Sequence, residues 1–247
     1  DECKSILQTF AKYEHHGLLP NLFPEGDVEP MYNSVDAPLL FINAVYEYIQ
    51  ASKDTAFLPE VWDVLKRIMT AYEKGTDYHI GMDTDCLIQA GADLEQLTWM
   101  DVRVGDYLPT PRHGKPVEIN VYWYNDLKIM EQFALLQQDN KLAQHYAELA
   151  DKVKEAFLLK FWNEEENCLK DVLSGNEEEN QVRCNQVWAL SMPYTMLPKE
   201  KELCVLHKIQ EELYTTAGLR TLSPNDSAFH DIYIGSMQER DRAYHQG

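Results

Sequence analysis

Apolar residues recur at steps of three and four along most of the chain, which is the spacing of an amphipathic helix. One such stripe follows the acidic residue Asp36 in the sequence and predicts a helix over about residues 36–50. Another follows Pro198, a residue suited to a first helical turn. A fifth helix is expected to begin near Trp123. The stripes consist of Ile42, Val45, Tyr46 and Ile49; Leu58, Val61, Leu65, Ile68 and Tyr72; Leu127, Met130 and Ala134; Leu142, Tyr146, Leu149, Val153, Ala156 and Phe157; and Leu203, Leu206, Ile209 and Leu213.

Strand signals are few and short. Two segments, "DYHIGMDTDCLIQAG" over 77–91 and "NCLKDVL" over 167–173, could each form a small hairpin. Strands and helices do not alternate in the way that predicts a parallel sheet. The pattern therefore predicts an all-α fold with minor β structure. No long low-complexity linker or strict repeat divides the chain, so we expect residues 1–247 to form a single domain.

The charge balance excludes several classes of partner. The chain has 41 Asp and Glu residues against 22 Lys and Arg, a formal net charge of −19. This charge repels phosphate backbones and anionic membrane surfaces, so we expect no nucleic acid or membrane partner. The longest apolar run, 37–46, is too short to span a bilayer. The five cysteines form no CxxC pair and no even set, which indicates a reducing, cytoplasmic compartment.

Common cofactor and metal motifs are missing from the sequence. His15, His16 and the "HIGMDTD" stretch over 79–85 lack the spacing of a zinc site or a calcium loop. There is no GxSxG, GxxxxGK or GxGxxG element, so the usual signs of a serine hydrolase or a nucleotide-binding protein are missing too. We expect neither a metal nor an organic cofactor.

The stretch "LTWMD" over 97–101 places Asp101 directly after an apolar run that contains Trp99. A carboxyl group held against an indole loses water, and this favours the protonated form that a general acid needs. Glu118 and Trp123 follow soon after. Carboxylates beside aromatic rings suit a sugar, because carboxylates bind hydroxyl groups and indoles stack on sugar faces. The alternative is that both tryptophans belong to the core and the acids are solvated.

Asp36 has two interpretations of its own. Its carboxylate could bind a ligand, or it could simply favour the positive end of the helix that follows it.

Seven motifs, taken in order, resemble the amylo-α-1,6-glucosidase domain of glycogen debranching enzymes. They are "GLLPNLFP", "YNSVDAPLLFI", "QLTWMD", "GKPVEINVYWYN", "NQVWALSMP", "GLRTLSP" and "YHQG", and they extend from about residue 17 to the last residue. The resemblance implies an (α/α)6 toroid whose sugar site lies in the loops at one end. Two departures concern the loops: Cys86 stands where a glycine is expected after "MDTD", and the loop after Asp101 reads "VRVGDYLPTPRHG".

The resemblance also implies roles for individual residues. Asp101 is expected to be the general acid of an inverting hydrolase, and the base is expected beyond "YHQG", with the two carboxyl groups roughly 6.5–9.5 Å apart. The C-terminal part of the toroid would then be missing, and we expect the isolated 247 residues to be inactive. The expected substrate-binding residues are Asp36, Trp99, Glu118, Asn120, Trp123, Arg220 and His245.

The implied reaction is hydrolysis of an α-1,6-linked glucosyl stub on glycogen or a limit dextrin, releasing free glucose. Two alternatives remain open. One is a helical-toroid hydrolase of the glucoamylase or trehalase type, which acts on another α-glucosidic linkage. The other is a carbohydrate-binding scaffold without catalytic activity.

Overall fold

The computed structural model describes residues 2–23, 25, 29–175 and 177–247, and about half of the chain is helical. Within these ranges the α-helices are α1 Glu2–Lys12, α2 Ala37–Ser52, α3 Phe57–Lys74, α4 Val117–Leu136, α5 Asn140–Lys160, α6 Trp188–Ser191, α7 Lys199–Lys208 and α8 Met237–Ala243. The strands have two residues each: β1 Gly81–Met82, β2 Ile88–Gln89, β3 Lys115–Pro116, β4 Trp162–Asn163, β5 Cys168–Leu169, β6 Val172–Leu173, β7 Tyr214–Thr215 and β8 Gly218–Leu219.

Helix α4 is the central element of the fold. It packs against α5 and α2, and buried residues lie all around it along most of its length. A helix with buried residues on every side lies in the interior of the protein. Asp139 caps the next helix by accepting a hydrogen bond from the backbone N–H of Leu142 at 3.0 Å, so α5 runs back along α4 after a short turn. The burial of α4 brings its first turn, with Glu118 and Asn120, into the protein interior.

Three of the predicted helices, α2, α3 and α5, are confirmed close to their expected positions. The predicted start of α4 near Trp123 is wrong, because the helix already begins at Val117, after Pro116. The stripe behind Pro198 is confirmed only in part. Leu203 and Leu206 are exposed, and the buried side of this segment includes Val205 in α7 and extends into a π-helical turn over Ile209–Leu213.

The two predicted hairpins have different outcomes. The first is confirmed, since β1 pairs antiparallel with β2. The segment "NCLKDVL" does not pair with itself. Its β5 pairs with β4, whereas its β6 pairs with β3, which lies just before α4. Asp171 lies between β5 and β6 in the sequence, and its carbonyl accepts a hydrogen bond from the N–H of Val117 at 2.9 Å. Strand pairing between distant segments therefore brings Asp171 to the start of α4.

In the described part of the chain, no helix combines the length and the apolar character needed to cross a membrane.

Helix α4 also carries a buried carboxyl group with few hydrogen bonds to stabilise its charged form. This makes the stability of the fold depend on pH. The side chain of Asp126 is fully buried; Oδ1 accepts a hydrogen bond from Asn125 at 3.3 Å, and Oδ2 has no partner among the described residues. Burial raises the pKa of Asp126 well above its ordinary value of 3.8. A raised folded-state pKa stabilises the fold fully below the unfolded value, and this stabilisation is lost as pH rises through the folded value.

We therefore expect Asp126→Asn to increase the free energy of unfolding at neutral pH and to flatten its decline above pH 3.8. Each unit by which folding raises a pKa corresponds to about 1.4 kcal/mol. Urea denaturation of both proteins between pH 4 and 8 measures the effect. The matched control is Asp151→Asn, an exposed aspartate on α5, which should leave the profile unchanged. Parallel profiles for wild type and Asp126→Asn would contradict the prediction.

Candidate active site

Arg112 forms a buried ion-pair network with two carboxylates from distant segments. Its Nε donates to Oδ2 of Asp171 at 2.7 Å, and its Nη2 donates to Oε2 of Glu118 at 2.5 Å. All three side chains are buried. Burial alone lowers the pKa of the Arg112 guanidinium, but the charges of Asp171 and Glu118 outweigh it and raise the pKa above its ordinary value. Arg112 therefore stays charged and joins the loop before β3, the first turn of α4 and the β5–β6 segment.

A second buried arginine, Arg183, extends this network towards the C-terminal motif. Its Nε lies 3.9 Å from Oδ2 of Asp171. Its Nη1 donates to the carbonyl of His245 at 2.7 Å, and its Nη2 donates to Oε1 of Gln246 at 2.9 Å. We call Arg112, Glu118, Asp171 and Arg183 the four-charge centre. Its two positive and two negative groups balance, as the burial of four charges requires.

Asn185 connects the four-charge centre to the "TWMD" motif. Its Nδ2 donates to Oδ1 of Asp171 at 2.7 Å, and its Oδ1 accepts from Nε1 of Trp99 at 2.8 Å. The Trp99 ring also meets His245 edge to face, with centroids 4.9 Å apart. Trp99 nevertheless remains 42% exposed. The indole is thus held in one orientation while part of its surface is free to contact a ligand.

Asp101 is exposed, so the expected loss of water against Trp99 is not found. The reason is the residue between them. Met100 is buried, whereas its neighbours on both sides, Trp99 and Asp101, are exposed. Among the described residues, the Asp101 carboxylate has neither a hydrogen bond nor an ion pair. It is available to a ligand.

A cleft of about 480 Å³ lies beside Asp101, and we call it the Asp101 cleft. This volume is in the range of about 300–1,000 Å³ that is usual for small-molecule sites. A hydrogen bond of 2.8 Å from the N–H of Val35 to the carbonyl of Leu97 joins the two segments that form much of its wall. The lining residues are Asn33, Tyr78, Leu94, Glu95, Gln96, Leu97, Asp101 and Arg103.

A larger hollow of about 640 Å³ lies between the Glu14–Gly17 turn and α3. Its lining includes charged groups that already neutralise each other, such as Arg67 and Glu14, whose Nε and Oε2 are 2.6 Å apart. It is lined by none of the residues that the sequence motifs indicated as functional. The Asp101 cleft is therefore the better candidate for the site.

Two further predicted site residues, Asp36 and His245, lie near the four-charge centre. Burial raises the pKa of Asp36, although a hydrogen bond from the hydroxyl of Ser34 opposes the shift. Burial, together with the charges of Arg183 and Arg112, lowers the pKa of His245 to about 4. The Nε2 atom of His245 is enclosed and has no partner in the described ranges. His245 is therefore a neutral imidazole at physiological pH.

None of the seven predicted substrate-binding residues is among those that line the Asp101 cleft. Glu118 is occupied by Arg112, and Asn120 is buried, with its amide bonded to both the N–H and the carbonyl of Ile88 at 2.7 and 3.1 Å. Trp123 is 0% exposed, so it offers no face to a sugar. Arg220 is not among the residues that line the cleft. The placement of Glu118, Asn120 and Trp123 supports a structural role instead.

Cys86, which stands where a glycine is expected, lies in a turn that packs against α4. Its carbonyl accepts a hydrogen bond from Nε1 of Trp123 at 3.2 Å, which holds the β1–β2 turn against α4. The backbone of Cys86 has φ = +67°, a left-handed conformation that glycine adopts more easily than other residues. A glycine at this position would therefore fit the same turn with less strain.

The sequence patterns did not indicate Arg112, Asp171, Arg183 or Asn185. One signal was present: Asp171 lies between the apolar residues Leu169 and Val172, separated from Leu169 only by Lys170. A carboxylate within a buried strand segment needs a partner of opposite charge. The identity of that partner was not visible, because Arg112 lies 59 residues away along the chain.

No group of three or more His, Cys, Asp or Glu side chains with the geometry of a metal site is found in the ranges that the structure describes.

The four-charge centre can be tested by removing one member. Arg112→Met keeps much of the side-chain volume but leaves two buried carboxylates without their partner. We expect the free energy of unfolding to fall by about 3–5 kcal/mol, measured by urea denaturation. Lys199→Met, which removes an exposed pair with Glu202, is the control and should cost less than about 1 kcal/mol. Equal losses in the two variants would contradict a special role for the centre.

The environment of His245 predicts an unusual titration. Its imidazole should change protonation with a midpoint near pH 4, measured from the ring resonances by NMR. Because the folded-state pKa is below the ordinary value of 6.5, protonation favours the unfolded state. The contribution of His245 to the free energy of unfolding is fully present above pH 6.5 and falls as pH drops towards 4. A midpoint near 6.5 would show that the ring is not enclosed beside the two arginines.

Comparison with known proteins supplies the family. The family model for amylo-alpha-1,6-glucosidase matches residues 1–247. The glycogen debranching enzyme of Saccharomyces cerevisiae is 23% identical, in an alignment that covers 100% of this chain and 22% of that protein. The chain thus spans about a fifth of the length of this curated relative.

Solved structures share the fold at low sequence identity. A rhamnosidase from Klebsiella oxytoca with rhamnose bound aligns with a TM-score of 0.60 and 17% identity, over 84% of this chain and 37% of that one. A GH78 family rhamnosidase of Bacillus sp. GL1 gives 0.63 and 18%, over 85% and 20%. A sialidase gives 0.57 and 16%, over 91% and 20%. These likenesses concern the fold alone. The match of the family model to the whole sequence is decisive, and the chain belongs to the amylo-alpha-1,6-glucosidase family.

Proposed function

We propose that this chain contributes the proton-donating side of a glycosidase site that removes α-1,6-linked glucose from trimmed glycogen or limit dextrin. Membership of the family supports a glycoside hydrolase. The more specific proposal, that this chain donates the proton, rests on the position of Asp101. Its carboxylate is unpaired among the described residues, it lies on a segment held by Asn185 and the four-charge centre, and it lines a cleft of suitable size.

The proposed reaction is an inverting hydrolysis. Asp101 donates its proton to the glycosidic oxygen as the bond between that oxygen and C1 breaks. A water molecule attacks C1 from the opposite face, and a second carboxylate takes up the proton that this water loses. The two carboxyl groups of such a pair lie roughly 6.5–9.5 Å apart, which leaves room for the water. We expect the second carboxylate after the "YHQG" motif, as the family resemblance implies.

The exposure of Asp101 is compatible with this role. A sugar that fills the cleft displaces water from the carboxyl group, and the loss of water favours the neutral form that can donate a proton. Catalytic geometry is often incomplete before the substrate binds. Trp99 presents an exposed part of a rigidly held ring next to Asp101, and we assign it to stacking on the sugar.

We assign Asp36 and His245 to the same site, each with a different role. Asp36 is near enough to Arg112 for its charge to affect the carboxyl group, and we propose that it accepts hydrogen bonds from sugar hydroxyls. His245 supports the Trp99 ring and contributes a neutral nitrogen. Arg220 remains a proposed contact only, on the strength of its motif. Glu118, Asn120 and Trp123 position the site from behind.

The proposal extends to the architecture and the compartment. The antiparallel pair α4–α5 and its packing on α2 are compatible with part of an (α/α)6 toroid, in which helical hairpins follow one another around a ring. All five cysteines are unpaired, which suits a cytoplasmic protein that acts on glycogen.

The test is glucose release by the natural polypeptide that carries this chain. Asp101→Asn keeps the shape of the side chain but cannot donate the proton, so activity on a limit dextrin should fall by about 100- to 10,000-fold. Activity on α-glucosyl fluoride should fall much less, because fluoride leaves without protonation. Asp106→Asn, an exposed aspartate in the same loop, is the control and should leave both activities unchanged.

Two results would contradict the assignment. Near-normal activity of Asp101→Asn on limit dextrin would mean that another group donates the proton, and Glu95 is the other carboxylate in the cleft lining. Equal loss on both substrates would mean that Asp101 does not act as an acid. Preference for α-1,4- or α,α-1,1-linked substrates over α-1,6-linked ones would favour a glucoamylase- or trehalase-like enzyme.

A further inference from the structure

Three side-chain atoms of residues that line the Asp101 cleft have no hydrogen-bond partner in the part of the chain that the structure describes. They are Oε1 and Nε2 of Gln96 and Oδ1 of Asn33, and all three are enclosed. Buried amide atoms in proteins are nearly always satisfied by protein or by bound molecules. Two amides with free groups at one cleft are therefore unusual and indicate a missing polar partner.

Loose packing does not account for these free groups. The N–H of Val35 bonds to the carbonyl of Leu97 at 2.8 Å, which holds the segments of Asn33 and Gln96 side by side. On the other side of Gln96, the side chain of Glu95 accepts a hydrogen bond from the N–H of Ala92 at 2.9 Å. The carbonyl of Glu95 is also bonded to the ring of His113 at 2.8 Å. The amide of Gln96 is thus flanked by fixed backbone and still lacks a partner.

The chemistry of the cleft selects the ligand. A carboxamide presents a donor and an acceptor side by side, and two neighbouring hydroxyl groups of a sugar match this pair. Tyr78 and Leu94, each 37% exposed, add apolar surface to the same lining. The cleft carries two carboxylates and one guanidinium, and the whole chain is strongly acidic, so an anion is disfavoured. A neutral polyol fits all of these features.

We propose that the amide groups of Gln96 and Asn33 turn into the cleft when substrate enters, bind the hydroxyl groups of the terminal glucosyl residue and position its glycosidic oxygen at Asp101. This inference rests on the proposed function and deepens it, because it names the side chains that hold the sugar. Gln96 contributes both a donor and an acceptor, whereas Asn33 contributes an acceptor. Both residues bind substrate without taking part in proton transfer.

Replacement of Gln96 by leucine is expected to weaken sugar binding without lowering the melting temperature. Leucine has a similar volume and no polar atoms. If the amide has no protein partner, its removal leaves the melting temperature unchanged or raises it. Isomaltose, an α-1,6-linked glucose disaccharide, should bind about tenfold more weakly, because two hydrogen bonds to hydroxyl groups are lost. Calorimetric titration of the natural polypeptide that carries this chain with isomaltose measures the affinity.

Gln144→Leu is the matched control. Gln144 lies on α5, away from the cleft, and its exposed amide donates to Glu148 at 2.8 Å. This variant should bind isomaltose as wild type does. Asn33→Ala provides an independent second variant and should weaken binding about threefold, since it removes one acceptor. If Gln96→Leu does not fold, Gln96→Met serves in its place with the same expected result.

The outcomes separate this inference from the proposed function. Asp101→Asn should bind isomaltose within about threefold of wild type, because Asp101 acts on the leaving oxygen. If the Gln96 and Asn33 variants lose binding while no glucose is released, the inference stands and the hydrolase proposal fails. The inference is overturned if wild type shows no binding at millimolar isomaltose, or if Gln96→Leu binds as wild type does. It is also overturned if Gln96→Leu lowers the melting temperature by several degrees, since the amide would then have a structural partner.

Discussion

The burial of Arg112 between Glu118 and Asp171 is the constraint on which the rest of the site depends. Four charges, including Arg183, lie in the interior, and each would be costly without its partners. Their ion pairs hold the loop before β3, the first turn of α4 and the β5–β6 segment together. The central helix α4 makes this possible, because its apolar surface keeps water away from the centre.

The site is built outwards from this centre through short polar links. Asn185 hydrogen-bonds to both Asp171 and Trp99, and Arg183 hydrogen-bonds to the carbonyl of His245 in the "YHQG" motif. Met100 is buried between Trp99 and Asp101, which are both exposed, and Asp101 lines the Asp101 cleft. Such an arrangement keeps the chemical groups accessible without leaving them mobile, which is what precise placement of a substrate requires.

The fold is shared with rhamnosidases and a sialidase at 16–18% identity, and fold alone does not determine substrate. The Asp101 cleft of this chain lies in its loops. Gln96 and Asp101 lie between β2 and β3, and Asn33 lies before α2, so the cleft is formed by connections and not by the helices themselves. Loops tolerate changes that helices packed in a core do not, and this allows one scaffold to carry different binding sites.

The sequence by itself determined the helices α2, α3 and α5 and the family, since apolar periodicity and contiguous motifs are local properties of the chain. It also indicated the first hairpin and drew attention to Asp101. Only the tertiary structure decided that "NCLKDVL" divides between two strand pairs, that Trp123 is enclosed and that Asp101 faces water. The physical reason is that burial and ion pairing depend on residues far apart in the chain. Arg112 and Asp171 are separated by 59 positions, and no local pattern records their contact.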